Sequence, residues 1–92
     1  MVNRDDLPEL GKNEVYLVCL YDKLAKQASS LMYIPTADVL PRVFRASLKT
    51  ENVDEYEMIL VSLFDTSKLV MAGEPILLNM LDVKEKMRNE TS

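Results

Sequence analysis

The sequence predicts an α+β fold: a small antiparallel sheet in the order β-β-α-β-β, one amphipathic helix and a short C-terminal helix. Three observations predict it. Glu14–Asp22 (EVYLVCLYD) and Tyr56–Phe64 (YEMILVSLF) are dense in β-branched, aromatic and other apolar residues, the composition of strands. Between them, Val39, Leu40, Val43, Phe44 and Leu48 recur at helical spacing. A chain of 92 residues, 48% apolar and 28% charged, has room for one such domain and is too apolar to stay disordered.

The chain is expected to divide into a polar N-terminal arm (1–13), a single α+β domain (14–83) and a charged C-terminal tail (84–92). The arm contains Pro8 and Gly11 and little apolar material, so it is read as loosely held. In Glu14–Asp22 the alternate residues Val15, Leu17, Cys19 and Tyr21 fall on one face and Tyr16, Val18 and Leu20 on the other. Both faces are apolar. Ala28–Ile34 is a weaker strand, ended by Pro35, which has no N–H for a ladder.

Thr36–Lys49 is the amphipathic helix. Asp38 is the expected N-cap because it leaves Pro41 in the first turn, where a missing N–H costs nothing. Arg42, Arg45 and Lys49 lie on the side away from the apolar stripe. An acidic loop (50–55) leads into Tyr56–Phe64. Asp65-Thr-Ser-Lys is turn chemistry, and Leu69–Met71 can return as an antiparallel partner. After the break at Ala72-Gly-Glu-Pro, the near-helical spacing of Leu77, Leu78 and Leu81 suggests a short helix over Ile76–Met87. No internal repeat is read from the sequence.

Composition removes several chemistries. With no His and the single Cys19, the chain has no histidine base, no His/Cys zinc set and no internal disulfide. It contains no nucleophile elbow, P-loop, dinucleotide fingerprint or C-x-x-C. Asp54, Glu55 and Glu57 cluster, but a solvated acidic loop accounts for them. A non-enzymatic protein without cofactor or metal is expected. Met1–Pro8 shows no apolar secretion signal, and the run Val15–Tyr21 is far short of the roughly 20 residues that span a bilayer, so a cytosolic protein without membrane contact is expected.

The net charge of −4 is unevenly placed. Lys23, Lys26, Arg42, Arg45 and Lys49 stand against Asp38 in residues 23–50, a local +4, followed by five acids and no base in 51–65. The basic block can meet phosphates, and single-strand binders add aromatic platforms for bases. Tyr33 is the aromatic expected beside that block, whereas Phe44 belongs to the core. The candidate nucleic-acid-binding set is therefore Lys23, Lys26, Tyr33, Arg42, Arg45 and Lys49. Two-faced apolar strands with so few helices to cover them also point to a homo-oligomer, a dimer or larger.

The order and spacing of several short motifs resemble a known family. Tyr21-Asp22-Lys23 closes the first strand, Arg42-Val43-Phe44 lies in the helix, Glu55-Tyr56 leads through Met58–Leu63 to Phe64-Asp65, and Pro75-Ile76-Leu77-Leu78 follows. Across residues 14–83 this resembles the small nonstructural proteins of gokushovirus-type microviruses, single-stranded DNA phages. The chain departs from them in lacking a Ser or Thr between Asp22 and Lys23, in carrying Ser62 where they have Gly, and in lacking a Pro-Phe-Phe run in Leu31–Thr36. The resemblance implies a protein made in the cytoplasm of the infected bacterial cell and absent from the virion. Its implied role is binding single-stranded DNA during genome replication or packaging. The alternative is an oligomeric regulator that binds a viral replication or capsid-assembly protein and no DNA.

Overall fold

The computed structural model describes residues 2–4, 7–48 and 50–90. In chain order it contains β1 (Val2–Arg4), β2 (Glu14–Asp22), β3 (Gln27–Ala28) and β4 (Met32–Ile34). A 3-10 turn (Ala37–Val39) then runs into α1 (Leu40–Ser47), and a second 3-10 segment (Thr50–Glu55) leads to β5 (Tyr56–Asp65). The chain ends with β6 (Val70–Ala72), β7 (Ile76–Leu78) and α2 (Leu81–Glu90). This is the expected α+β architecture, a small sheet with two helices.

β2 and β5 pair antiparallel along their whole length, from Glu14↔Asp65 to Asp22↔Tyr56. β3 and β4 line the outer side of β2, and β6 and β7 line the outer side of β5. Each long strand ends in the same device. Asp22 Oδ1 accepts the N–H groups of Leu24 and Ala25, and Lys26 N–H closes on Asp22 O. Asp65 Oδ1 accepts those of Ser67 and Lys68, and Leu69 N–H closes on Asp65 O. The residue leaving each turn has positive φ, 57° at Lys26 and 59° at Leu69. Asp is suited to both places because its short carboxylate satisfies turn amides that have no ladder partner.

The molecule is therefore a structural repeat, which corrects the reading that none is present. In each half a long strand, an Asp-led turn, a short return strand, a second short strand and a helix follow in order. Tyr33 opposes Leu17 as Leu77 opposes Ile59, and Ala28 opposes Tyr21 as Met71 opposes Phe64. The sequence trace is Leu17-Val18-x-Leu20-Tyr21-Asp22 against Leu60-Val61-x-Leu63-Phe64-Asp65. A register irregularity between Leu17/Val18 and Ser62/Leu60 leaves Val61 as the extra residue. A one-residue slip moves side chains to the other face, so letter-for-letter equivalents such as Leu17 and Leu60 land on opposite faces.

Other expectations are also modified. Asp38 is not an α-helix cap: it lies within the 3-10 turn, which starts at extended Thr36, and Val39 precedes α1, with Pro41 in the first turn as its missing N–H requires. The segment Ala28–Ile34 is split, because Ser29 leaves the ladder to accept Leu20 N–H on its hydroxyl while its own N–H donates to Leu20 O. The acidic loop is the 3-10 segment Thr50–Glu55. Ile76–Leu78, expected as helix, is β7, because the open side of β5 offers Ile59 and Leu60 as partners.

The residues assigned to a tail (84–92) instead continue α2 to Glu90, with Lys84 and Met87 buried. Those assigned to a loose arm (1–13) include β1, parallel to β7, and partly buried Leu7 and Leu10. The Tyr16 hydroxyl donates to Pro8 O at 2.8 Å, tying that segment to the sheet.

The core lies on one face of the sheet. Tyr16, Val18 and Leu20 of β2 and Met58 and Leu60 of β5 pack there with Leu40 and Phe44 of α1 and Met87 of α2. Phe44 is fully buried, and its truncation to Ala is expected to lower stability by about 3–5 kcal/mol in urea unfolding. The buried Ser62 hydroxyl has no hydrogen-bond partner, so Ser62→Ala should raise stability by about 1 kcal/mol in the same assay.

Candidate nucleic-acid interface

The alternation that sends Tyr16, Val18 and Leu20 into the core sends Val15, Leu17, Cys19 and Tyr21 to the other face. Ile59 and Phe64 of β5, Tyr33 of β4, Leu77 of β7 and Met71 of β6 share that face through their register with β2 and β5. None of these residues belongs to the core cluster under the helices. The sheet thus has a helix-covered face and an open, largely apolar one.

Aromatic rings dominate one end of the open face. Tyr33 and Phe64 stand on strands either side of β2, yet their centroids are 6.1 Å apart at a tilt of 48°. Leu17, opposite Tyr33, is buried although it does not belong to the core cluster under the helices. Tyr33 itself is 67% exposed. Tyr21, near the other end of β2, is the third ring on this face. Neither Tyr21 nor Phe64 was in the predicted set, but strand parity with Leu17 and Cys19 was the signal that could have found Tyr21.

The predicted cations do not converge with Tyr33. Lys23 and Lys26 sit in the β2–β3 turn at one end of the sheet, whereas Tyr33 lies over the middle of β2. Arg42 and Arg45 are exposed on α1, behind the sheet, so Tyr33 and the basic helix face look in opposite directions. Lys49 lies outside the described residues. Lys68, in the turn at the opposite end, was not predicted.

Lys23 is not a free cation. Its Nζ is 3.3 Å from Glu57 Oε1, and the same oxygen accepts from Lys84 Nζ at 3.0 Å. Lys84 is only 5% exposed, so Glu57 is the counter-ion of a buried ammonium. Glu57 is also the one charged residue of β5 whose parity matches the open face. Arg88 pairs with Asp54 at the same end of the molecule. Two members of the acidic cluster are thus engaged in structural ion pairs.

Burial pushes the Cys19 thiol up, and burial together with the charge of Glu9 raises the Tyr16 hydroxyl. The nearby Asp22 carboxylate raises Tyr56. Each of these shifts favours the neutral, unreactive form. A crevice of about 280 Å³ beside the junction of β6 and β7 is mainly apolar, lined by Pro8, Leu60, Leu63 and Ile76 with Glu74. Among the described residues no group of carboxylates and thiols is placed to hold a metal, and no helix is long and apolar enough to cross a membrane.

Removing the counter-ion tests the ion pair. Glu57→Gln should cost about 2–4 kcal/mol in urea unfolding by leaving the Lys84 charge uncompensated, and adding Lys84→Met should recover most of the loss.

Comparison with protein-family models, with curated proteins and with solved structures finds no match to the chain.

Proposed function

We propose that the chain is a non-enzymatic protein that binds single-stranded DNA across the open sheet face. The observation that carries this reading is the Tyr33–Phe64 pair, exposed Tyr33 against half-buried Phe64, on the sheet face away from the core cluster under the described helices. Unstacked bases gain roughly 1–3 kcal/mol each on such rings, and a flat sheet offers several without a preformed cleft. Lys26 at one end and Lys68 at the other are the cations that meet phosphates as the strand leaves the face, while Lys23 is held by Glu57. Arg42 and Arg45, behind the sheet, add only longer-range attraction. With the resemblance to microvirus nonstructural proteins, the setting is genome replication or packaging in the cytoplasm of an infected bacterial cell.

Titration with a labelled single-stranded oligonucleotide at low salt tests this reading. Tyr33→Ala and Phe64→Ala should each weaken binding about 5- to 100-fold while leaving circular dichroism unchanged. Lys26→Glu should weaken it more than Arg42→Glu does. Log affinity should fall with log salt at a slope of about −0.7 per phosphate neutralised. Absence of binding at low salt removes the reading.

A second reading has its own observation: the open-face residues named above are apolar or aromatic, and the chain carries −4. A neutral apolar face suits a protein surface, here that of a viral replication or capsid-assembly protein. This reading requires no oligonucleotide binding and a stable complex with that purified protein.

A further inference from the structure

The two halves of the repeat differ most at their sheet edges. The return strand of the first half reads Lys26-Gln27-Ala28, a charged and polar edge of the kind that resists pairing with another sheet. Its equivalent reads Leu69-Val70-Met71, and these residues are 74%, 53% and 65% exposed. Among the described residues β6 pairs with β5 alone, so its outer edge is open. Lacking the protection its counterpart has, β6 is an edge made to be covered.

We propose that a second copy of this chain covers it, by antiparallel pairing of β6 with β6 across a twofold axis at Met71. The flanking charges support this occupant. In a register centred on Met71, Val70 faces Ala72 of the other copy, and just beyond the strand ends Leu69 and Lys68 of the turn approach Gly73 and Glu74 of the other copy. A pair of opposite charges therefore closes each end of an otherwise uncharged contact, once per copy. The match is self-complementary, as a twofold interface demands. Gly73, at φ 95° with open space around its Cβ position, leaves room for Leu69 of the other copy. A twofold axis perpendicular to the sheet keeps both open faces on the same side, so the pairing extends that face.

Native mass spectrometry and sedimentation equilibrium, without nucleic acid, test the pairing independently of the DNA reading. The wild type should be a dimer at about 100 μM and dissociate on dilution, as suits a small contact. Lys68→Glu and Glu74→Lys should each weaken the dimer about 5- to 30-fold, and the double variant should restore it. Met71→Lys, which sets two like charges face to face at the axis, should give monomer with an unchanged circular dichroism spectrum. A wild type that is monomeric throughout, a dimer indifferent to all three single changes, or a double variant that fails to recover overturns the proposal.

Discussion

The antiparallel pairing of β2 with β5 is the constraint from which the rest of the molecule follows. Both strands are apolar on both faces, so the pairing alone does not select an inner side. The irregularity at Val61 fixes the register of the two strands against each other. On one side of it Val18 and Leu60 share the core; on the other Leu63 joins Tyr16 there and Phe64 turns outward. Without the extra residue, an unbroken period of two running on from Met58 and Leu60 would turn Phe64 into the core face and Leu63 out of it. The aromatic pair Tyr33–Phe64 and the buried cluster around Phe44 are thus set by one local feature.

The placement of the helices then decides how much of the sheet is covered. The described helices α1 and α2 both lie against the same face, with Leu40, Phe44 and Met87 filling the space above Val18, Met58 and Leu60. The other face must shield itself. Tyr33 and Phe64 reach toward each other, and Leu17 and Cys19 are buried among their neighbours outside the core cluster under the helices. Large rings provide that cover at low entropic cost because they have few rotatable bonds. Tyr33 nevertheless stays 67% exposed.

Much of the fold was legible because it depends on local chemistry. Glu14–Asp22 is a strand with those bounds, Pro41 lies in the first turn of α1, and Asp65 opens a turn, each for a reason contained in a few residues. What failed depends on distant partners. Ile76–Leu78 has spacing that fits a helix, yet it completes the ladder beside Ile59 and Leu60, and no local signal competes with that edge. Lys84 reads as part of a charged tail until Glu57, far away in sequence, provides its counter-ion. The repeat was hidden because the register slip moves matching letters to opposite faces and because the two return strands share no residues. For the candidate site, parity placed Tyr21 with Leu17 and Cys19, but only the sheet order brings Tyr33 across β2 to Phe64. A charge block contiguous in sequence became a turn on one side and a helix behind the sheet.

The repeat also gives a physical reason for the difference between the two return strands. Two halves built as strand-turn-strand units present two corresponding edges, and two unprotected edges would let copies join end to end without limit. Lys26 and Gln27 blunt one of them. Leu69, Val70 and Met71 leave the other apolar and exposed, and an interface that uses one such edge per copy closes as a dimer. A pair of this kind carries two aromatic faces side by side, with the lysine turns at the ends of each. On the proposed DNA reading, joining two faces on one strand would add the binding energies of both while ordering the DNA largely once, which would offset the few cations each copy presents.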